Sequence, residues 1–106
     1  MSSSLRRFEI LLPIRFNDGQ PIPDSLIADT LEEIEQQFSA VSSESQLIHG
    51  RWRSEGQSYR DELVRVFVDV PDTPASLEFF TAYKQQLKTR FRQLEIWMIS
   101  YPVEAI

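Results

Sequence analysis

Valine stands at every second position of the run Leu63-Val64-Arg65-Val66-Phe67-Val68-Asp69-Val70, and this alternation constrains the fold more than any other feature of the chain. Successive side chains of a β-strand point to opposite faces, so the four valines form one continuous apolar face. Branched side chains are also enriched in strands. We therefore predict a strand from Tyr59 to Val70 that turns its valines toward a core, with Pro71 ending it.

Three further alternating segments predict strands on either side of this one. They cover residues 8–16, 46–53 and 94–101. Pro13 is expected to loosen the first strand, because proline cannot donate a backbone hydrogen bond, and Pro102 is expected to end the last. Gly56 supplies the positive φ that a short hairpin loop needs between the two central strands.

Two segments with apolar residues three or four positions apart predict helices. The first is expected to be capped by Asp24 or Ser25 and to run to about Phe38. The second is expected to begin at Thr73 as its N-cap, with Pro74 in the first turn. Residues 39–45 are polar and small, which is typical of a loop.

The order of these elements is β-α-β-β-α-β, and the 106 residues have the length of one domain. Right-handed crossover connections place both helices on the same side of the sheet. We therefore expect an α+β fold, the ferredoxin-like α/β plait, with a four-stranded antiparallel sheet and two helices on one face.

The sheet face that points away from the helices, which we call the open face, is expected to be apolar. Its predicted members are Leu11, Leu63 and Phe67, together with one side of the last strand, for which Trp97, Ile99 and Tyr101 are the candidates. Large contiguous apolar patches are uncommon on monomers. We therefore predict that these six residues form the interface of a homodimer or homotrimer; the alternative is that residues 103–106 or the hairpin fold over this face.

The hairpin between the two central strands carries the densest group of functional side chains. The candidate ligand or interface residues are His49, Arg51, Trp52, Arg53, Tyr59, Arg60 and Asp61. Guanidinium groups beside aromatic rings can bind a carboxylate, a phosphate or the surface of a partner. The alternative is an exposed ribbon held by cross-strand charge pairs and by a contact between Trp52 and Tyr59.

His49 is the one residue with a plausible catalytic arrangement. It is expected opposite or next to Asp61 or Glu62, and a histidine oriented by a carboxylate is the basic unit of general acid–base chemistry. No nucleophile and no second histidine accompany it, so we assign no catalytic residue.

Charge is distributed unevenly along the chain. Residues 24–44 contain six acidic residues and no basic one, whereas residues 84–92 contain four basic residues and no acidic one. Such runs are typical of solvated helix faces and can also steer a partner. Arg15 followed by Asn17-Asp18-Gly19 resembles an anion-binding loop, but turn chemistry is the interpretation that we favour.

Composition narrows the classes of function. The chain has no cysteine and one histidine, which excludes thiolate chemistry, and we predict no metal and no cofactor. Its formal charge of −5 disfavours nucleic acid as a partner. The apolar runs are too short to cross a membrane, and Met1 to Arg7 do not begin a signal peptide, so we expect a cytoplasmic protein that does not bind membranes.

Trp52, Gly56 and Glu62 before Leu63-Val64 resemble the central hairpin of the divalent-cation-tolerance (CutA) family, which belongs to the PII-like group. In that family a long hairpin carries a tryptophan, then a glycine, then an acidic residue that enters an apolar strand. The resemblance implies the same element order and a trimer formed through the hairpins, but it transfers no binding residues, and the family's cysteine is missing here. The chain also resembles small bacterial proteins of the ferredoxin-like fold, which implies no activity.

These observations predict a non-enzymatic, self-associating regulatory or scaffolding module that could bind a small ligand at a subunit interface. One alternative is a small oligomeric plait enzyme that uses His49 with Asp61 or Tyr59. Another is an adaptor or antitoxin-like protein whose acidic first helix docks on a different protein.

Overall fold

The computed structural model describes residues 4–106, which form an α+β plait. Its elements are β1 (Leu5–Pro13), α1 (Asp24–Phe38), β2 (Ser42–Ser43), β3 (Ile48–Ser54), β4 (Gln57–Pro71), α2 (Pro74–Arg90) and β5 (Met98–Val103). The ferredoxin-like class predicted from the sequence is confirmed, except that the antiparallel sheet has five strands and not four.

Strand β4 is the centre of the sheet and pairs along both of its edges. On one edge it pairs with β1, from Leu5 opposite Pro71 to Pro13 opposite Leu63, and β5 pairs with the far edge of β1. On the other edge β4 pairs with both β2 and β3. The strand order is therefore β2 and β3 together, then β4, β1 and β5.

The fifth strand, β2, lies inside the segment 39–45 that was predicted to be a loop, and residues 44–47 separate it from β3. Ser43 lies opposite Val66 and Ile48 lies opposite Leu63, so four residues on one side, 44–47, face two on the other. The two extra residues cannot stay in the ladder and leave it as a bulge. The amide of Glu44 nevertheless donates to the carbonyl of Arg65, at 2.9 Å, which keeps the segment close to β4.

The core lies between the valine face of β4 and the two helices. Val66, Val68 and Val70 are buried, as predicted, and Val64 packs against the same cluster. Phe8 of β1 stacks on Phe80 of α2 with ring centroids 4.1 Å apart. No helix within residues 4–106 combines the length and the apolar character needed to cross a membrane.

The two helices begin in different ways. Pro23 precedes the first turn of α1 and no side chain caps it, so the predicted cap from Asp24 or Ser25 is wrong; both residues lie inside the helix. Helix α2 begins as predicted, because the Thr73 hydroxyl accepts a hydrogen bond from the Ser76 amide at 3.3 Å.

An ion pair joins the acidic helix α1 to the basic end of α2. Arg90 donates to Glu33 at 2.8 Å, and the Tyr83 hydroxyl donates to the same carboxylate at 2.7 Å. The Arg90 hydrogen bond lowers the pKa of Glu33, while burial and this carboxylate raise the pKa of Tyr83. Some of the acidic charge of α1 is therefore paired with basic charge of α2 within the chain.

The first and last strands differ from their predicted bounds. Strand β1 ends at Pro13, so the prediction of a strand to residue 16 is wrong. Strand β5 begins at Met98 and includes Pro102, so the predicted range 94–101 is wrong at both ends. Pro102 is tolerated because β5 is an edge strand, on which the missing amide need not face a neighbouring strand.

Candidate functional site

The structure decides which side of the last strand faces the core. Ile96 is buried and Met98 packs against the core, whereas Trp97, Ile99 and Tyr101 are exposed by 61%, 38% and 37%. Residues 104–106 are exposed and do not fold over the sheet. The open face therefore remains uncovered by residues 4–106, and the alternative in which the chain covers it is not observed.

The end of the open face next to the hairpin is apolar, and we call it the apolar half. It consists of Leu11, Trp52, Leu63 and Trp97, which line a cleft of about 520 Å³. Asp61 and Glu95 also line this cleft, so carboxylates accompany the aromatic rings. A Cβ at Gly50 would lie 3.2 Å from Leu63 Cδ1, so the absence of a side chain at this position leaves room for Leu63.

The opposite end of the open face, which we call the ion-paired half, satisfies its own charges. Its members are Arg7, Glu9, Arg65, Phe67, Asp69 and Tyr101. Arg7 donates two hydrogen bonds to Asp69, at 2.7 and 3.0 Å. Arg65 pairs with both Glu9 and Glu44, and Tyr101 donates to Glu9 at 2.5 Å.

Phe67 and Tyr101, which were predicted as interface residues, thus already contact charged side chains of their own chain. The guanidinium groups of Arg7 and Arg65 lie 4.8 and 5.3 Å from the centroid of the Phe67 ring. The Arg7 hydrogen bonds lower the pKa of Asp69, and the bond to Glu9 raises the pKa of Tyr101. The geometry favours Leu11, Leu63 and Trp97 as the core of an interface, and the interface itself stays a prediction.

The hairpin turns tightly and carries the aromatic contact that the sequence predicts. Glu55 and Gly56 both have positive φ, of 52° and 79°, which is the requirement of a two-residue turn whose twist matches the strands. Trp52 stacks on Tyr59 with centroids 4.2 Å apart, and its indole N–H donates to Asp61 at 2.6 Å. Because β1 ends opposite Leu63, the hairpin beyond this point projects from the sheet.

The other face of the hairpin is charged. His49 lies opposite Glu62, Arg51 opposite Arg60, and Arg53 opposite Ser58. Alternation along the strands therefore puts His49 on the face opposite to Tyr59 and Asp61. The predicted catalytic pairing of His49 with Asp61 or Tyr59 is not formed within one chain.

A second cleft, of about 460 Å³, lies between this charged face and the turn that follows β1. Arg15, His49, Arg51, Arg60 and Glu62 line it. Arg15 Nε is 3.8 Å from a Glu62 carboxylate oxygen, a loose ion pair. Among residues 4–106, no three histidine, aspartate or glutamate side chains converge as a metal-binding group.

The sequence did not indicate two of the residues that shape these clefts, and it favoured turn chemistry for a third, Arg15. Gly50 and Glu95 belong to the first cleft, and Arg15 reaches the second from a segment interpreted as a turn. No local pattern marks Gly50 or Glu95, because each matters only through the tertiary neighbour that it meets. The strand-end arginine followed by a turn was the available signal for Arg15.

Solved structures of the same fold are similar to this chain, although neither a protein-family model nor a curated protein matches its sequence. A phage SAM lyase in complex with S-methyl-5'-thioadenosine has a TM-score of 0.70 at 12% identity, covering 99% of this chain and 93% of that one. CutA1 from Oryza sativa has a TM-score of 0.61 at 12% identity over 98% and 84%. CutA from Synechococcus elongatus has 0.56 at 14% identity over 96% and 79%. The resemblance to the CutA family is confirmed at the level of the fold.

Proposed function

We propose that the protein is a self-associating regulatory or scaffolding module of the cytoplasm whose copies meet through the apolar half of the open face. One observation carries this proposal: Trp97 is 61% exposed beside Leu11 and Leu63 in a cleft that residues 4–106 leave open. Tryptophans that fill a partner's pocket are among the residues that contribute most to binding. A second copy of the chain is the occupant that we favour.

The surroundings of the apolar half support this arrangement. Stable interfaces combine an apolar centre with a polar rim and bury roughly 800 Å² on each partner. Here the ion-paired half adjoins the apolar half on the same strands, and its charges are already paired within the chain. The approach of a second copy therefore does not have to break any of these pairs. The projecting hairpin with Trp52, 38% exposed, extends the apolar surface beyond the sheet.

The cleft in the apolar half also supports a small ligand at the subunit boundary. Its volume of about 520 Å³ is within the usual range for small-molecule sites, roughly 300–1,000 Å³. Two indole rings and two carboxylates, those of Asp61 and Glu95, suit a flat or positively charged group. His49, Arg51, Arg53, Tyr59 and Arg60 remain candidates for contacting a ligand or a second copy.

An enzymatic role is the second candidate, and the similarity to a phage SAM lyase over 99% of this chain is the observation that favours it. This is an analogy of fold, and folds host unrelated activities. Because His49 faces away from Tyr59 and Asp61, these three residues do not form such a site within one chain. Incubation with S-adenosylmethionine, followed by chromatography for S-methyl-5'-thioadenosine, tests it; formation of this product would replace the non-enzymatic proposal.

An adaptor or antitoxin-like role rests on the acidic surface of α1. Recovery of one stoichiometric partner from the native host, lost when Glu32 and Glu35 are changed to glutamine, would favour that role.

Native mass spectrometry of the protein purified from its own host tests the leading proposal. A dimer or trimer is expected, and an additional mass that is lost on denaturation would identify a ligand. A monomer at every concentration would contradict the proposal.

A further inference from the structure

The arginines of the hairpin differ from most others in the chain because they have no carboxylate partner. Arg6, Arg7 and Arg90 each contact a carboxylate oxygen within 3.0 Å. In contrast, Arg51 and Arg60 form no ion pair with any residue of the range 4–106. Lys88 and Arg92, near the end of α2, also form no ion pair within this range, so the hairpin is one of two places where a chain with a net charge of −5 keeps unpaired positive charge.

Arg51 and Arg60 are, moreover, directly opposite each other in the β3–β4 ladder. Like charges at directly opposed positions destabilise an antiparallel pair. Arg53 is two positions further along the same face, and Arg15 approaches from the turn after β1. Nothing in the fold requires two guanidinium groups at this pair of positions, because the hairpin is held by its ladder and by the stack of Trp52 on Tyr59 on the other face.

The cleft of about 460 Å³ lies where these positive charges converge. Arg15, Arg51 and Arg60 line it together with His49, and Glu62 is a carboxylate within it. Glu62 is held only loosely, 3.8 Å from Arg15 Nε. Asp61 also borders the cleft, but its side-chain oxygen accepts from the Trp52 indole. The three arginines outnumber the two carboxylates, Asp61 and Glu62, and leave an excess of positive charge.

We propose that this cleft binds a small oxyanion with at least two negative charges, of the phosphate or polycarboxylate type. Guanidinium groups present forked donors that match the oxygens of both classes. An anion held between Arg51 and Arg60 replaces their repulsion by two attractive contacts. This site is on the opposite face of the hairpin from the apolar half and is complete in one chain, so it does not depend on self-association.

Calorimetric titration of the full chain with sodium pyrophosphate, and separately with sodium citrate, tests the proposal at constant ionic strength set with sodium chloride. Saturable binding of at least one anion is expected. Binding of pyrophosphate would indicate a phosphate ligand, and binding of citrate would indicate a carboxylate ligand. Arg51→Gln and Arg60→Gln should each weaken binding about tenfold or more, as expected for a charge-assisted hydrogen bond. Lys88→Gln removes the same charge outside this cleft and should leave binding unchanged.

Thermal unfolding without any anion separates a binding role from a structural one. Arg60→Gln should melt at the same temperature as the wild type or higher, because it removes a like-charge contact. The proposal is overturned if neither anion binds saturably, if Lys88→Gln weakens binding as much as the two hairpin variants, or if Arg60→Gln unfolds more easily. Binding of a single-stranded oligonucleotide in place of both small anions would also overturn it. A monomeric mass would contradict the proposed self-association and leave this site intact.

Discussion

The two halves of the open face are built on the same strands but satisfy their side chains in opposite ways. In the ion-paired half, Arg7 holds Asp69, and Arg65 and Tyr101 both hold Glu9, so each of these charges finds its partner inside the chain. In the apolar half, Trp97 is 61% exposed and lines an open cleft. The apolar half therefore differs from the ion-paired half in leaving a large apolar side chain, that of Trp97, uncovered by residues 4–106.

The difference arises from a few positions along each strand. Glu9 on β1 and Arg65 on β4 belong to the ion-paired half, and the next residues on the same face, Leu11 and Leu63, belong to the apolar half. Residues two apart share one face of a strand. Because Leu11 lies directly opposite Arg65, the boundary between the halves crosses the strands obliquely.

The largest expected effect comes from placing a charge in the apolar half. Trp97→Asp should weaken self-association about a hundredfold or more, because it removes an aromatic anchor and buries a carboxylate without a partner. Light scattering behind a sizing column measures the change in mass. Since Trp97 is mostly exposed in one chain, the variant should still fold, which circular dichroism checks. An unchanged mass would remove Trp97 from the interface.

The next largest effect is expected in the ion-paired half. It should change the free energy of unfolding and leave the mass of the assembly unchanged. Arg65→Met leaves Glu9 and Glu44 without their guanidinium partner and should lower the free energy of unfolding by about 1–2 kcal/mol. Arg60→Met, in the same strand but without a carboxylate partner, is the matched control and should not destabilise. Urea unfolding of both variants measures the difference. If Arg65→Met dissociated the assembly, the two halves would not be independent.

Acid should weaken the ion-paired half through Asp69. Because Arg7 lowers the pKa of this carboxyl, the ion pair stabilises the fold above the unfolded pKa and the contribution is lost as the pH falls through the lower folded pKa. The pair is exposed, so solvent screening should keep the effect small. Urea midpoints of the wild type and Asp69→Asn should therefore converge between about pH 6 and about pH 2. A constant difference across this range would show that the ion pair does not stabilise the fold.

The smallest effect is expected at the rim of the cleft. Asp61→Asn keeps an oxygen that can accept from the Trp52 indole, so the free energy of unfolding should change by only a few tenths of a kcal/mol. Asp61→Ala removes the acceptor and should cost about 1 kcal/mol. Equal losses in the two variants would mean that charge, and not the hydrogen bond, matters at Asp61.

Much of the fold could be predicted because its pattern is local. The alternating valines identify β4, and Thr73 with Pro74 identifies the start of α2, since each signal is contained within a few residues. The split into β2 and β3 could not be predicted in this way. It depends on four residues facing two across the ladder, which is a property of the pairing and not of either strand.

The residue types of the candidate site could be predicted from the sequence, but the contacts between its side chains could not. The sequence indicated an apolar open face and a hairpin rich in arginine and aromatic residues. It did not indicate that Arg7 and Arg65 would cover Phe67, or that Arg51 and Arg60 would stay unpaired opposite each other. Both outcomes are set by register, which a single strand does not specify.

Hydroxyl-radical footprinting of the wild type against Leu63→Lys, a variant expected to be monomeric, tests the central claim most directly. Oxidation of Trp97 should be strongly reduced in the wild type relative to this variant, whereas oxidation of Tyr101, in the ion-paired half, should change little. Equal oxidation of Trp97 in both proteins would contradict the claim that the apolar half is where copies of the chain meet.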